Sequence, residues 1–288
     1  MGNNEEIYHC NCEIEDENLI RQNSIIKLMY MIDRPQPTEF FINVRQMVGQ
    51  ALQQEMNRFK EAQWQKGAHW IKAEWTYPCF EHLTFAYKNQ IFCVLIDIID
   101  ENSKKSFLPN RYKKNLIDNC IKNNLIPCLY KVSVKDPTNP IFNTIKPVSE
   151  GWNLYHAISN EKVIPEELVS NKKIEMSDWE LYDFAIQVIR TYITNNLHCK
   201  VLSYQNVPEI DPQIWFEDTN HNECYVVVRY TIGSEKVEMP QDINSIQLSL
   251  PGYNGYFAGV GFKPDKYFDK KLYRGQGSNV YFDKLIEL

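Results

Sequence analysis

The chain of 288 residues has the composition of a folded protein, with 43% hydrophobic, 13% aromatic and 24% charged residues. Its net charge of −6 argues against a non-specific nucleic-acid binder, because such proteins need an excess of lysine and arginine to displace counterions from phosphates. No apolar run approaches the roughly 20 residues that span a bilayer. The first residues, Met1-Gly-Asn-Asn-Glu-Glu6, lack a basic start and an apolar core, so they do not resemble a secretory signal. We therefore expect a cytoplasmic protein with no membrane partner.

Eight cysteines are spread along the chain, and several lie within apolar runs such as Ile91-Phe-Cys-Val-Leu-Ile96. A free thiol in such a run behaves as a small hydrophobic group, and the chain is far longer than disulfide-stapled mini-domains. We therefore expect reduced thiols. The cluster His9-Cys10-Asn11-Cys12 holds three soft ligands, but a zinc site needs four and no second cluster accompanies it.

The first part of the chain predicts an acidic leader and a short helix at 19–31, within residues 1–37, and the prolines of Arg34-Pro-Gln-Pro37 end that helix. Thr38 then offers an N-cap, and apolar residues at helical spacing up to Phe59 predict a long amphipathic helix that ends near Gly67. Extended segments are predicted at 69–77, 83–87 and 90–99, with a hairpin turn between the last two. A helix from Pro109 and a strand at 125–134 complete a first α/β unit at 38–147.

A proline-rich passage that holds Pro137, Pro140 and Pro147 predicts the boundary of a second α/β unit at 148–288. Its long helix is expected to begin at Ser177-Asp-Trp-Glu180, because a hydroxyl at the N-cap and a glutamate three residues later form a capping box. Extended segments are predicted at 152–158, 198–204, 213–217, 223–232, 253–262 and 280–286, with a helical turn at 165–168 and a hairpin at 218–222.

The two units share an order of long helix, two strands, polar hairpin and apolar strand. This order predicts a mixed α/β fold with an internal duplication. A helix followed by three strands is also a common order in mixed folds, so a coincidental similarity of the two units is the alternative to duplication.

Standard short catalytic motifs are absent: the chain has no Gly-Lys-Ser/Thr phosphate loop, no His-Glu-x-x-His helix, no Gly-x-Ser-x-Gly turn and no Cys-x-x-Cys pair. Aromatic residues offer candidates for binding instead, since they supply large contact area at interfaces. Trp215, Tyr253 and Tyr256 are the candidates, and burial in the core is the alternative for each.

One segment carries a family resemblance. Asp211 lies at the entry of a predicted strand, a hairpin follows, and the next strand contains Val227-Val228-Arg229. With the capped helix before them, residues 177–262 resemble the PD-(D/E)xK, or restriction-endonuclease-like, superfamily, whose core is a helix and three strands. The resemblance implies a site where the Asp and an acid on the next strand hold a divalent cation. That metal activates the attacking water, while a nearby lysine positions the nucleophile.

The residues at the positions that match the family motif differ in part from the family pattern. Asp211 matches the first acid, but Val227 stands at the second acidic position and Arg229 at the lysine position, and valine cannot ligate Mg²⁺. The sequence therefore favours a pseudoenzyme without cofactor that binds another protein, of the immunity or defence type found in bacteria.

The alternative is a Mg²⁺-dependent nuclease with displaced ligands that acts on DNA or RNA. In this alternative Asp211 and Glu223 hold the metal, and Arg229 and Glu180 complete the catalytic site. Asp218 from the hairpin and Asp183 from the helix are further substitutes for the missing acid.

Overall fold

The computed structural model describes residues 37–58, 68–71, 83–136, 144–206, 210–264 and 271–288. The described part is a mixed α+β protein with five helices and two sheets, divided into two compact units between Lys172 and Lys173. None of these five helices is long and apolar enough to cross a membrane. The predicted acidic leader, the helix at 19–31 and the cluster at 9–12 lie outside the described residues.

The first unit has one sheet and three helices. The helices are α1 (Glu39–Arg58), α2 (Asn110–Asn123) and α3 (Pro165–Leu168). The strands are β1 (Ala68–Trp70), β2 (Leu83–Tyr87), β3 (Gln90–Asp100), β4 (Ile126–Val134), β5 (Lys146–Pro147), β6 (Leu154–His156) and β7 (Lys162–Val163). Their order is β1-β2-β3-β4-β6-β7, with β5 beside β4. The pairing of β3 with β4 is parallel and the other described pairings are antiparallel, so α2 is the crossover between the parallel strands.

The strand β3 is buried along most of its length because its middle is almost entirely apolar. A continuous apolar run suits a strand that is covered on both faces. The predicted hairpin is present: a two-residue turn joins β2 to β3, and Lys88 in this turn takes a positive φ of 53°. The side chain of buried Asn89 donates to the backbone oxygens of Ser170 and Lys172 at 2.7 and 3.0 Å. These hydrogen bonds hold the last residues of the first unit against the turn.

Residues 148–172 belong to the first unit, although the sequence suggested that the second unit starts at 148. In the structure β6 pairs with β4, with His156 opposite Cys128, and β7 pairs with β6. In the sequence, the proline-rich passage therefore lies between two strands of the first unit, β4 and β6. Prolines mark where a chain leaves regular structure, and they carry no information about which sheet the chain joins next.

The second unit contains the helices α4 (Asp178–Asn195) and α5 (Ile243–Ser249). Its strands are β8 (Lys200–Tyr204), β9 (Ile214–Glu217), β10 (Glu223–Ile232), β11 (Asn254–Pro264), β12 (Ser278–Tyr281) and β13 (Ile286–Glu287). The sheet order is β12-β11-β10-β9-β8, with β13 beside β11. Again the third and fourth strands, β10 and β11, are parallel, and α5 lies between them in the chain. The sequence did not predict α5, because seven residues are too few to show a helical repeat.

The predicted capping box begins α4: the Ser177 backbone N–H donates to Glu180 Oε2 at 2.9 Å, and the Ser177 hydroxyl oxygen accepts from the Glu180 N–H. The sheet of this unit has an apolar core on each face. Val226 and Val228 of β10 belong to the core under α4, whereas Val227 belongs to the core under α5. This alternation follows from the two-residue period of a strand.

Five cysteines fall in the described part of the chain, and all five are free and buried: Cys93, Cys120, Cys128, Cys199 and Cys224. Burial raises the pKa of the Cys128 thiol well above its ordinary value. These thiols therefore act as small core groups, in agreement with the expectation from the apolar runs.

Candidate functional site

The candidate site lies where the chain enters β9. Ile214, the first residue of β9, pairs with Val226 of β10. Asp211 lies three residues before Ile214, after which a cis peptide bond leads to Pro212. Arg229 lies three residues after Val226, so the antiparallel pairing brings Asp211 and Arg229 side by side although 18 positions separate them.

Asp211 and Arg229 form a bidentate ion pair. Arg229 Nη1 donates to Asp211 Oδ1 at 2.8 Å, and Arg229 Nη2 donates to Asp211 Oδ2 at 2.7 Å. The exposed fractions of the two side chains are 24% for Arg229 and 10% for Asp211, so water screens the pair only weakly. Burial opposes the charged form of Arg229, but the hydrogen bonds and the charge interactions with Asp211 and Tyr182 together outweigh burial and raise the pKa of Arg229 above its ordinary value. Arg229 is therefore a permanent positive charge held against Asp211.

Tyr182 of α4 and Gln213 complete the network around the pair. The Tyr182 hydroxyl donates to the Val228 carbonyl oxygen at 2.7 Å and accepts from Arg229 Nη1 at 3.0 Å. Gln213 Nε2 donates to Asp211 Oδ1 at 2.7 Å, while Gln213 Oε1 accepts from the Val228 N–H at 2.7 Å. Both carboxylate oxygens of Asp211 are thus already engaged by donors from the chain itself.

Two acids of α4 that the sequence offered as metal ligands have donors of their own. Arg274 Nε and Nη2 donate to Glu180 Oε1 and Oε2 at 2.7 and 2.8 Å. Both side chains of this pair are only 3% exposed. Asp183 Oδ1 accepts from Asn206 Nδ2 at 3.1 Å. A buried carboxylate is tolerated when such donors compensate for its lost hydration, and these contacts give both acids a structural role.

Glu223 is separated from Asp211 by the length of β10. It pairs with Glu217 at the start of the strand, six residues before Arg229, which is about 20 Å at 3.4 Å per residue. The predicted metal pair of Asp211 and Glu223 is therefore not brought together. Asp218 lies at that same distant end, where its Oδ1 accepts two backbone N–H groups of the hairpin at 2.8 Å. Among the residues that the structure describes, no three His, Cys, Asp or Glu side chains form a group that could hold a metal ion.

The three candidate aromatic residues do not form one surface. Trp215 packs against Tyr253 and Tyr225 on the α5 face of the sheet, with ring centroids 5.1 and 5.7 Å apart. Tyr256 packs on the α4 face against Phe216, with centroids 5.8 Å apart. Trp215, Tyr253 and Tyr256 are all half-buried and form the margins of two separate cores. The two-residue period of the strands sends these side chains to opposite faces of the sheet.

Sequence reasoning missed Tyr182, Gln213 and Arg274. A local signal existed for Gln213, since it lies two residues after Asp211. No spacing rule could have found Arg274, because 94 positions separate it from Glu180.

In a comparison with protein families, residues 179–288 match a family described as Domain of unknown function (DUF8840). The match runs from the first turn of α4 to the end of the chain and includes every residue of the Asp211–Arg229 network. It covers less than half of the chain. No curated protein and no solved structure gives a significant match.

Proposed function

We propose that the chain is a non-catalytic protein of the immunity or defence type, which binds another protein and carries a restriction-endonuclease-like scaffold that has lost its metal ion. The observation that carries this proposal is the bidentate contact between Asp211 and Arg229. The guanidinium occupies both oxygens of the one acid that matches the superfamily pattern.

The connectivity of the second unit supports the scaffold assignment. A helix, three antiparallel strands, a second helix and a strand parallel to the third follow one another, as α4, β8, β9, β10, α5 and β11. The described part of the first unit has the same order, which supports the proposed internal duplication.

Electrostatics explains why the site is unsuited to a divalent ion. A cation at Asp211 would have to displace the donors from Arg229 and Gln213. It would also lie near the guanidinium, where two unit charges 4 Å apart repel each other by about 4 kcal/mol at an effective dielectric constant of 20. Val227 is fully buried in the α5-face core and supplies no ligand.

The loss of the ion can be tested with the purified full chain. We expect no cleavage of duplex DNA, single-stranded DNA or RNA in Mg²⁺ or Mn²⁺. We also expect no ion-specific rise in Tm at constant ionic strength. An ion present at 100 times its Kd would stabilise the fold by about 2.7 kcal/mol, so a bound ion would be detected.

The nuclease alternative makes the opposite prediction. Cleavage by the wild-type chain that is lost in Asp211→Asn would establish a metal-dependent nuclease in place of the proposed binding protein. Asp118→Asn is the matched control, because the Asp118 side chain is exposed on α2 of the other unit, where it pairs with exposed Lys114.

Protein binding requires a separate test. The chain purified from its native source should co-elute with a protein partner at fixed stoichiometry, as measured by size-exclusion chromatography with light scattering and by cross-linking. A chain that forms no complex and instead converts a small molecule or a nucleic acid would contradict the proposal.

A further inference from the structure

The segment from Asn102 to Leu116 contains five basic residues and no acidic residue, in a chain whose net charge is −6. It forms the loop after β3 and the first part of α2. We call its five cations the basic surface; they are Lys104, Lys105, Arg111, Lys113 and Lys114. Four of them are exposed and Lys113 is half-buried.

Helix stability does not account for these charges. The amino end of a helix carries a partial positive charge, so each cation placed there is unfavourable by about 0.3–1 kcal/mol. Helix α2 has no acidic residue in its first turn and no side-chain cap. Helix α4, by contrast, begins with a capping box and with Asp178 and Glu180 in its first turn. Lys114 has an exposed ion pair with Asp118, which contributes at most about 1 kcal/mol.

The basic surface lies beside the parallel strands β3 and β4. Lys131 of β4 lies opposite Asp97 of β3 in the parallel register. Lys113 and Lys131 both act on the Asp97 carboxylate electrostatically, so the start of α2 and the strand β4 lie close together around this buried acid. The surface thus lies at the carboxyl ends of two parallel strands, which is where open α/β sheets bind their ligands.

The apolar residues of the segment point inward. Leu108, Tyr112 and Leu116 are buried, and Phe107 is half-buried. Protein interfaces have an apolar, fully buried centre, which this surface lacks. Contacts to a nucleic-acid backbone need none, because lysine, arginine and main-chain N–H groups at a helix start bind phosphate oxygens directly.

We propose that the basic surface of the first unit binds the phosphate backbone of a nucleic acid, independently of base sequence. This binding is an activity beyond the protein-binding role proposed above and does not depend on it. The negative net charge of the chain is compatible with this binding, because counterion release depends only on the cations that contact the phosphates.

The test is fluorescence anisotropy of the full chain with labelled 20-nucleotide single-stranded DNA, duplex DNA and duplex RNA across a salt series. The variant Lys104→Gln/Lys105→Gln/Arg111→Gln removes three exposed cations. The control Lys162→Gln/Lys172→Gln/Lys284→Gln removes three exposed cations elsewhere and gives the same change in net charge. Circular dichroism checks that both variants are folded.

We expect the wild-type chain and the control to bind at about 50 mM salt, a concentration at which phosphate contacts are strong. The surface variant should bind about ten-fold or more weakly, and for duplex DNA the slope of log Kd against log salt should fall by about three. The relative affinities of the three nucleic acids then identify the preferred form.

Three results would overturn the proposal: no binding of any nucleic acid by the wild-type chain at 50 mM salt, equal affinities of the surface variant and the control, or equal competition by polyglutamate at the same charge concentration. The last result would mean that an acidic protein is the partner. None of them changes the interpretation of the Asp211–Arg229 pair, because that pair is not part of the basic surface.

Discussion

The two units share a connectivity, yet they differ in charge at the same position of the fold. In each unit the third and fourth strands are parallel, and a helix lies between them in the chain. In the first unit, Val94 of β3 faces Leu83, the first residue of β2, and Asp97 lies three residues after Val94. In the second unit, Val226 of β10 faces Ile214, the first residue of β9, and Arg229 lies three residues after Val226.

The partners of these two residues differ as well. The Ser106 hydroxyl donates to Asp97 at 2.5 Å, and Lys131 lies opposite Asp97 on β4. Arg229 instead binds Asp211 and faces Gly259 on β11. Equal topology therefore places a side chain without deciding its charge. The chemistry of each unit must be derived from its own residues.

The largest predicted effect contrasts a buried ion pair with an exposed one. In the second unit, Arg274→Ala leaves Glu180 charged and buried, and we expect a loss of about 3–5 kcal/mol in the free energy of unfolding. In the first unit, Lys114→Ala removes the partner of Asp118 from a pair whose side chains are 77% and 59% exposed, and the loss should stay below about 1 kcal/mol. Urea unfolding measured by circular dichroism, with hydrogen exchange to locate the loss, checks both. Equal losses would show that burial does not separate the two pairs.

A smaller effect, of opposite sign in the two units, is predicted for two glycines. A Cβ at Gly261 of β11 would overlap the backbone oxygen of Ser234, so Gly261→Ala should cost about 1–3 kcal/mol. At Gly49 in α1 the nearest atom to a Cβ is Leu83 Cδ2 at 3.9 Å, so Gly49→Ala should stabilise the helix by about 0.5–1 kcal/mol. Thermal unfolding distinguishes the signs. A neutral Gly261→Ala would show that β11 can shift away from the 234–235 backbone.

The smallest predicted effects are on the pH dependence of stability. Burial raises the pKa of Asp97 in the first unit. Burial and a hydrogen bond with Asp178 raise the pKa of Tyr230 in the second. When the folded state holds a proton more tightly than the unfolded state, the free energy of unfolding falls as pH rises from the unfolded pKa through the folded pKa. The Asp97 contribution is thus lost above about pH 4 and the Tyr230 contribution above about pH 10.

Two variants separate these ranges. The urea midpoint of Asp97→Asn should fall less with rising pH than that of the wild-type chain, but only in the acidic range. The urea midpoint of Tyr230→Phe should fall less only in the alkaline range. A variant whose midpoint follows the wild-type midpoint at every pH would refute the shift assigned to that residue.

Local sequence patterns predicted most elements of the described fold. The helix from Pro109, the capping box at Ser177 and the buried strands β3 and β10 all match, because helical and strand periods and caps depend on residues within one or two turns. The short helix α5 was missed because seven residues are too few to show a helical repeat. The extent of the first unit was missed because it depends on how strands pair, which no short window of sequence encodes.

For the candidate site, the sequence by itself determined that the strand after Asp211 carries Val227 and Arg229. Only the tertiary structure decided that Arg229 forms an ion pair with Asp211 and that Arg274 forms one with Glu180. Only the tertiary structure placed Glu223 at the end of β10 that is distant from Asp211. The physical reason is that ion pairs between distant segments follow from strand register and from the close approach of buried groups. These are properties of the folded chain as a whole.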